Sequence, residues 1–196
     1  MDLIFDGLKE GHYGAILADP PWSFKAWSGA ALPSRADDAH YQTQSMEWIA
    51  SLPVADLAAD DCALFLWVCW PTMPEALEII SGWGFKYKTC GFCWVKGNSL
   101  PLFPDDFKDK MGLGYWTRAN SEVCLLATRG KPKRKDAGVR QVIQAPLREH
   151  SRKPDCTHER IERLVDGPYC ELFARAPRAG WDCWGNEVGR FAEATA

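Results

Sequence analysis

Residues 15–22 read Ala15-Ile16-Leu17-Ala18-Asp19-Pro20-Pro21-Trp22. An apolar run without alternation describes a strand buried on both faces, as in a parallel sheet. The two prolines lack the N–H that a sheet ladder needs and fix their own φ, and the first pushes Asp19 towards extended backbone. The strand therefore ends here. A carboxylate, two proline carbonyls and an indole stand together at its carboxyl end, the edge at which open α/β sheets bind ligands.

The same unbroken apolar character returns in residues 62–70, 122–128 and 169–174. Between these runs, Ser45 is placed to cap a helix whose apolar stripe is Trp48, Ile49 and Leu52 and which Pro53 ends. Pro74 suits a first helical position, Leu77, Ile79 and Ile80 give an apolar side, and Gly82 and Gly84 stop the helix. A strand over 85–95 follows, so the β-α-β order predicts direct parallel pairing through a right-handed crossover. Residues 139–144 read as a short edge strand. Pro154 opens a helix carrying Cys156, Ile161, Leu164 and Val165, stopped by Gly167-Pro168, and residues 175–187 form an aromatic, glycine-containing exit from the last strand. Residues 23–40 and 96–120 are long irregular loops, a length that is usually functional when it carries no structure of its own.

A chain of 196 residues fits one domain, taken as 1–196, with net charge −3. No apolar run approaches the roughly 18–20 residues of a membrane span, and the first residues lack the basic start and apolar core of a signal peptide. Cytoplasmic residence is the expectation. Most of the eight cysteines lie in apolar runs, where a free thiol acts as a small core hydrophobe. Cys90-Gly91-Phe92-Cys93 has a C-x-x-C spacing, but residues three apart on a strand face opposite ways, so the sulfurs are expected to diverge and no metal is expected. Lys131, Lys133, Arg134 and Lys135 form one basic cluster, and Arg148, Arg152 and Lys153 another. Taken alone, each is an ordinary solvated face.

The corner at Asp19 suits methylation of a planar exocyclic amine. Such a nitrogen has a delocalised lone pair and two N–H donors, and is a poor nucleophile until acceptors draw those hydrogens. The Asp19 carboxylate and the Pro20 carbonyl are two acceptors, and the Trp22 ring is read as stacking on the base, roughly 1–3 kcal/mol per base by analogy with single-strand binders. Asp19-Pro20-Pro21-Trp22 resembles the catalytic motif of the MT-A70 family of N6-adenine methyltransferases. Further matches follow in the same order: residues 64–68, Trp94-Val95-Lys96, residues 121–125, Ser151-Arg152-Lys153-Pro154-Asp155, Glu171-Leu172-Phe173-Ala174-Arg175, Trp181, and Gly185-Asn186-Glu187. Together they span nearly the whole chain.

The resemblance implies a Rossmann-like, class I methyltransferase fold, α/β with a mostly parallel sheet flanked by helices, in permuted order with the catalytic motif ahead of the cofactor strand. It implies S-adenosylmethionine, and the lack of a G-x-G-x-x-G loop agrees, since that cofactor has no pyrophosphate to cradle. By the resemblance, Asp19, Pro20, Pro21 and Trp22 are catalytic and Lys153 meets the cofactor carboxylate. Arg175, Asn186 and Glu187 hold the ribose and adjoining groups with Phe173 in the same motif, Asp2 touches the adenine, and Asp19 also faces the ammonium. Pro177 stands where RNA-modifying members have His, which removes one ribose contact. The acceptor implied for so short a chain, a monomer or homodimer, is adenine in DNA, with Lys131, Lys133, Arg134, Arg148 and Arg152 expected to hold the polynucleotide backbone. Methylation of RNA, methylation of a small amine or protein side chain, and a non-catalytic nucleic-acid-binding role are the alternatives that the residues leave open.

Overall fold

A computed structural model describes residues 4–22, 44–97, 107–112, 116–148 and 152–189. The elements run β1 (Tyr13–Ala18), α1 (Met46–Ser51), α2 (Val54–Leu57), β2 (Ala58–Val68), α3 (Met73–Gly82), β3 (Lys86–Gly97), β4 (Ser121–Arg129), β5 (Val142–Pro146), α4 (Cys156–Leu164), β6 (Tyr169–Leu172) and β7 (Trp181–Trp184). The seven strands form one sheet in the order β5-β3-β4-β2-β1-β6-β7. All neighbours pair in parallel except β4, which is antiparallel to both β2 and β3.

That inserted strand corrects one expectation. β2 and β3 point the same way but do not touch, because β4 fills the place between them; an apolar run says that a strand is buried, not which strand lies beside it. A second correction concerns residues 175–187, where the four-residue strand β7 lies parallel to β6. The edge strand expected over 139–144 is β5, shifted to Val142–Pro146.

Alternating side chains of the central strands serve two cores. Ile16, Ala18, Leu64, Leu66 and Val68 face one layer, closed by Ile49 of α1 and Ala76, Ile79 and Ile80 of α3. Ala15, Leu17, Ala63, Phe65 and Trp67 face the other, closed by Ile161 of α4 with Val165. The sheet is thus covered on both faces, which is why its strands read as continuous apolar runs. Ser45 caps α1 as expected, its hydroxyl accepting from the Trp48 N–H at 3.1 Å. In β3 the ladder slips between Cys90 and Phe92, so Cys90 and Cys93 pack against the same core. The divergence expected of their sulfurs fails because a bulge adds one residue to the count.

Trp22 is also placed differently from the reading above. It is 7% exposed within the first core, and its indole N–H donates to the Trp67 carbonyl at 2.8 Å. The ring is a strut between the Asp19 corner and β2, not a platform open to a base. The loop expected over 23–40 lies outside the described residues, as does Asp2.

Trp22→Ala is expected to cost about 3–5 kcal/mol in unfolding free energy by urea titration, the range for losing a large buried ring. Trp22→Phe keeps most of the packing and is expected to cost about 1–3 kcal/mol for the carbonyl left without its donor. Wild-type stability in Trp22→Ala would show that the indole is not part of the core.

Candidate active site

β1 and β6 run side by side and end together, with the Asp19 N–H reaching the Leu172 carbonyl at 3.4 Å. The diproline turns the chain sharply: the Trp22 N–H returns to the Pro20 carbonyl at 2.8 Å, closing a three-residue turn, and the Gln44 N–H reaches the Pro21 carbonyl at 3.1 Å. Each proline carbonyl therefore already accepts one hydrogen bond and keeps a second lone pair.

Asp19 is gripped from α4's side of the sheet. The Lys153 ammonium lies 2.8 Å from both carboxylate oxygens and 3.4 Å from Glu122, whose other oxygen pairs with Lys96. The four groups alternate in sign across the ends of β1, β3 and β4. Asp19, Lys153 and Glu122 are only 12–16% exposed at the side chain. Burial pushes the Asp19 carboxyl up from the ordinary aspartate range, against the pull of Lys153 and Arg175. Burial also acts on Glu122, but Lys153 and Lys96 outweigh it and hold that carboxyl down. Lys153 is burdened by desolvation too, yet its two carboxylate neighbours raise it above the usual lysine range. Arg148 steadies the segment that carries Lys153, donating to the Lys153 carbonyl at 2.5 Å and to both Asp155 oxygens at 2.6 and 2.8 Å.

Two compartments of about 380 and 330 Å³ open along this edge, and Phe173 and Arg175 line both. The first is walled by Asp19, Trp67, Lys153, Thr157, His158 and Glu171. Trp67 Nε1, Thr157 Oγ1 and His158 Nδ1 are buried there without a hydrogen-bond partner among the described residues. Such atoms are uncommon in a folded interior, and three on one wall mark a place for a polar ligand. The second compartment has an aromatic wall, in which Trp48 meets Phe173 edge-on at 6.2 Å and Phe173 meets Trp184 at 5.5 Å. Its lip is Gly185, Asn186 and Glu187, with Arg175 3.8 Å from Glu187. Phe173 turns this corner at φ +63°, a left-handed conformation that a non-glycine residue adopts only where its surroundings enforce it. The Ala174 N–H donates to the Trp184 carbonyl at 2.9 Å, and a Cβ on Gly185 would meet the Ala174 carbonyl oxygen at 2.6 Å.

The MT-A70 family model matches residues 13–187. The chain belongs to the MT-A70 family. A Type II methyltransferase, M.MunI of Mycoplasma sp, is 30% identical over 205 residues, covering 96% of this chain and 83% of that protein. An N(6)-adenosine-methyltransferase MT-A70-like protein of Arabidopsis thaliana is 32% identical over 181 residues, 91% of this chain but 24% of its own length. A protein of the same description from Drosophila melanogaster is 31% identical over 182 residues, again 91% of this chain and 27% of its own. The chain thus spans about a quarter of those longer relatives. The MT-A70 match and the seven-stranded sheet agree on a class I methyltransferase fold, and among the described residues no helix is long and apolar enough to cross a membrane.

Of the residues expected to act in an MT-A70 site, Asp19, Pro21, Lys153, Phe173, Arg175, Asn186 and Glu187 line the two compartments. Arg152 lines the first as well, while Arg148 is spent on Asp155 and the Lys153 carbonyl. Lys131, Lys133 and Arg134 are elsewhere. β4 runs against β1 and β2, so the segment after it emerges at the opposite edge, where the Lys131 N–H donates to Asp61 at 2.6 Å. From Asp61 to the active end of β2 at Val68 is about 23 Å at ~3.3 Å per residue. The basic run is therefore not part of this site's rim. Glu122, Lys96, Trp67, Thr157, His158, Trp48 and Trp184 were not read as site residues from the sequence, although Trp67, Lys96 and Glu122 fall within the stretches that match MT-A70. Glu122 had a signal, being a carboxylate at the head of an apolar strand.

The network predicts how Asp19 titrates, followed by carbon-13 NMR and assigned by its loss in Asp19→Asn. Glu122 raises Asp19, so Glu122→Gln should lower the Asp19 pKa. Lys153 favours the charged carboxylate, so Lys153→Met should raise it. Identical titration in all three proteins would show that the groups are not coupled.

Proposed function

We propose that this chain transfers a methyl group from S-adenosylmethionine to N6 of adenine in DNA. The observation that carries the reading is the buried Asp19 carboxylate, fixed by Lys153 beside a cleft with three orphaned polar atoms. The cleft's donor set fits the cofactor. Lys153 and Arg175 would hold its carboxylate, Trp67 Nε1 and Thr157 Oγ1 would find partners in its amino-acid end, Asn186 and Glu187 would take the ribose, and the aromatic wall is the apolar slot that an adenine needs. Pro177 lines the cleft without a donor. When bound, the cofactor supplies an electrophilic methyl group on a sulfonium.

The protein's part is orientation and proton handling. Asp19 and the second lone pair of the Pro20 carbonyl accept the two amine hydrogens, which frees the nitrogen lone pair for in-line attack, and the surplus proton leaves towards the carboxylate. No covalent enzyme intermediate is required, so the cysteines take no part; positioning supplies much of the acceleration. Reaching Asp19 requires an adenine out of its stack, which costs a few kcal/mol in a duplex and less in a single strand. The relative matched over most of both lengths is named a Type II methyltransferase, which favours DNA. The relatives named for adenosine match nearly as much of this chain and keep RNA as the second reading.

The test is transfer of labelled methyl to single-stranded DNA and to RNA of the same sequence. Asp19→Asn keeps the shape but turns an N–H₂ towards the amine, and the rate is expected to fall by about 10²–10⁴-fold. A near wild-type rate would show that the carboxylate does not receive the amine hydrogens, and label on RNA alone would overturn the DNA assignment. By calorimetry, Asn186→Ala should weaken cofactor binding by about 1–3 kcal/mol. Absence of any heat or thermal shift with the wild-type protein would reject the cofactor.

A further inference from the structure

Trp70 sits in the 3-10 turn Trp70–Thr72 just past the active end of β2, and it is 50% exposed. Its indole N–H donates to the Ser121 hydroxyl at 3.2 Å, and the next residue, Glu122, belongs to the Lys153–Asp19 network. The chain leading into Ser121 carries Trp116, 90% exposed, and the exposed cation Arg118. Residues 107–112 are stitched to the same rim. Asp109 bridges to Gly97, the Lys110 N–H donates to the Lys96 carbonyl at 2.7 Å, and the Lys96 N–H donates to the Asn120 carbonyl at 2.8 Å. This brings the exposed Lys108 and Lys110 beside Asn120, whose amide occupies the Asp109 carboxylate at 2.7 Å. Among the described residues, this end of the sheet therefore displays two exposed indoles together with the cations Lys108, Lys110 and Arg118.

We propose that Trp70 and Trp116, with Lys108, Lys110 and Arg118, form a stacking surface for the single-stranded polynucleotide that flanks the target adenine. This rests on the nucleic-acid reading of the site. Open aromatic faces interleaved with cations are what sequence-tolerant single-strand binding uses, because every base has a π-face and every nucleotide a phosphate. A protein partner fits less well, since lysine is depleted at protein interfaces and charge is rare at their centres. The surface supplies at the correct edge what the Lys131, Lys133 and Arg134 segment cannot supply from the opposite one. It also begins within one residue of the charge network that fixes Asp19, so a strand stacked on it delivers its neighbouring base to the carboxylate.

The test is fluorescence anisotropy of a labelled single-stranded oligonucleotide containing one adenine, as DNA and as RNA. A second version has abasic sites flanking the adenine. Trp70→Ala and Trp116→Ala should each weaken binding of the intact strand by about tenfold, with Trp70→Phe retaining most of it. The abasic strand should bind weakly to the wild type and lose no more in the variants. Replacing Lys108, Lys110 and Arg118 by Gln should reduce the slope of log Kd against log salt by about 2, at ~0.7 per phosphate. The Lys131, Lys133 and Arg134 triple variant should leave that slope unchanged, and calorimetric affinity for S-adenosylmethionine should be the same throughout. Wild-type affinity for the intact strand in both alanine variants, while the wild-type protein methylates it, overturns the stacking surface and leaves the acceptor reading standing. So does a wild-type dimer that Trp116→Ala converts to monomer without loss of strand affinity, which would make the face a self-association surface. A wild-type protein that methylates no polynucleotide ends both readings together.

Discussion

The pair between Lys153 and Asp19 joins groups 134 positions apart in the chain and is the constraint on which the active edge depends. Burying two charges costs several kcal/mol per ion and is repaid only when the geometry is good and the remaining hydrogen-bonding capacity is met. Here Lys153 touches both oxygens of Asp19 and reaches Glu122, Glu122 holds Lys96, and the Trp67 ring lies 5.7 Å from the ammonium. A hydrophobic substitute would fill the space at less cost. A buried alternating network of this kind at the mouth of a cleft is what chemistry requires of a site and what stability alone does not.

The strand order explains how one edge gathers these groups. β1 is an interior strand with β6 on one side and the central β2 on the other, so the end of the Asp19 strand abuts the end of the strand leading to Arg175. The antiparallel β4 contributes its beginning, not its end, to that edge, which is how Glu122 arrives there. The strained Phe173 and the close seat of Gly185 against Ala174 then fold the return chain tightly enough to join the two compartments. Backbone strain of this sort costs roughly 1–3 kcal/mol and persists where the neighbours over-determine it.

The elements that sequence reading recovered are those whose identity is local. β1, β2, α3 and the strand into Arg175 show themselves as apolar runs or stripes with proline and glycine at their ends, and the ordered matches to MT-A70 motifs named most of the cleft. What escaped depends on partners distant in sequence. The burial of Trp22 turns on a carbonyl at Trp67, and the irrelevance of Lys131 to this rim turns on the direction of β4. Cys90 and Cys93 share a face because one bulge breaks the period of two, and β7 is too short to announce itself within an aromatic loop. Trp48 was read as part of a core stripe, yet it lines the second compartment, because α1 is short and begins at the site, where Gln44 lines the same wall.

The central claim is that Asp19 receives the hydrogens of an exocyclic adenine amine. It is tested most directly by locating the transferred methyl: DNA treated with the wild-type protein and methyl-labelled S-adenosylmethionine is digested to nucleosides and resolved by mass spectrometry. The account predicts the label on deoxyadenosine at N6. Label on a ring nitrogen of adenine, which has no N–H for a carboxylate to accept in the neutral base, or on the cytosine C5 carbon, would contradict it.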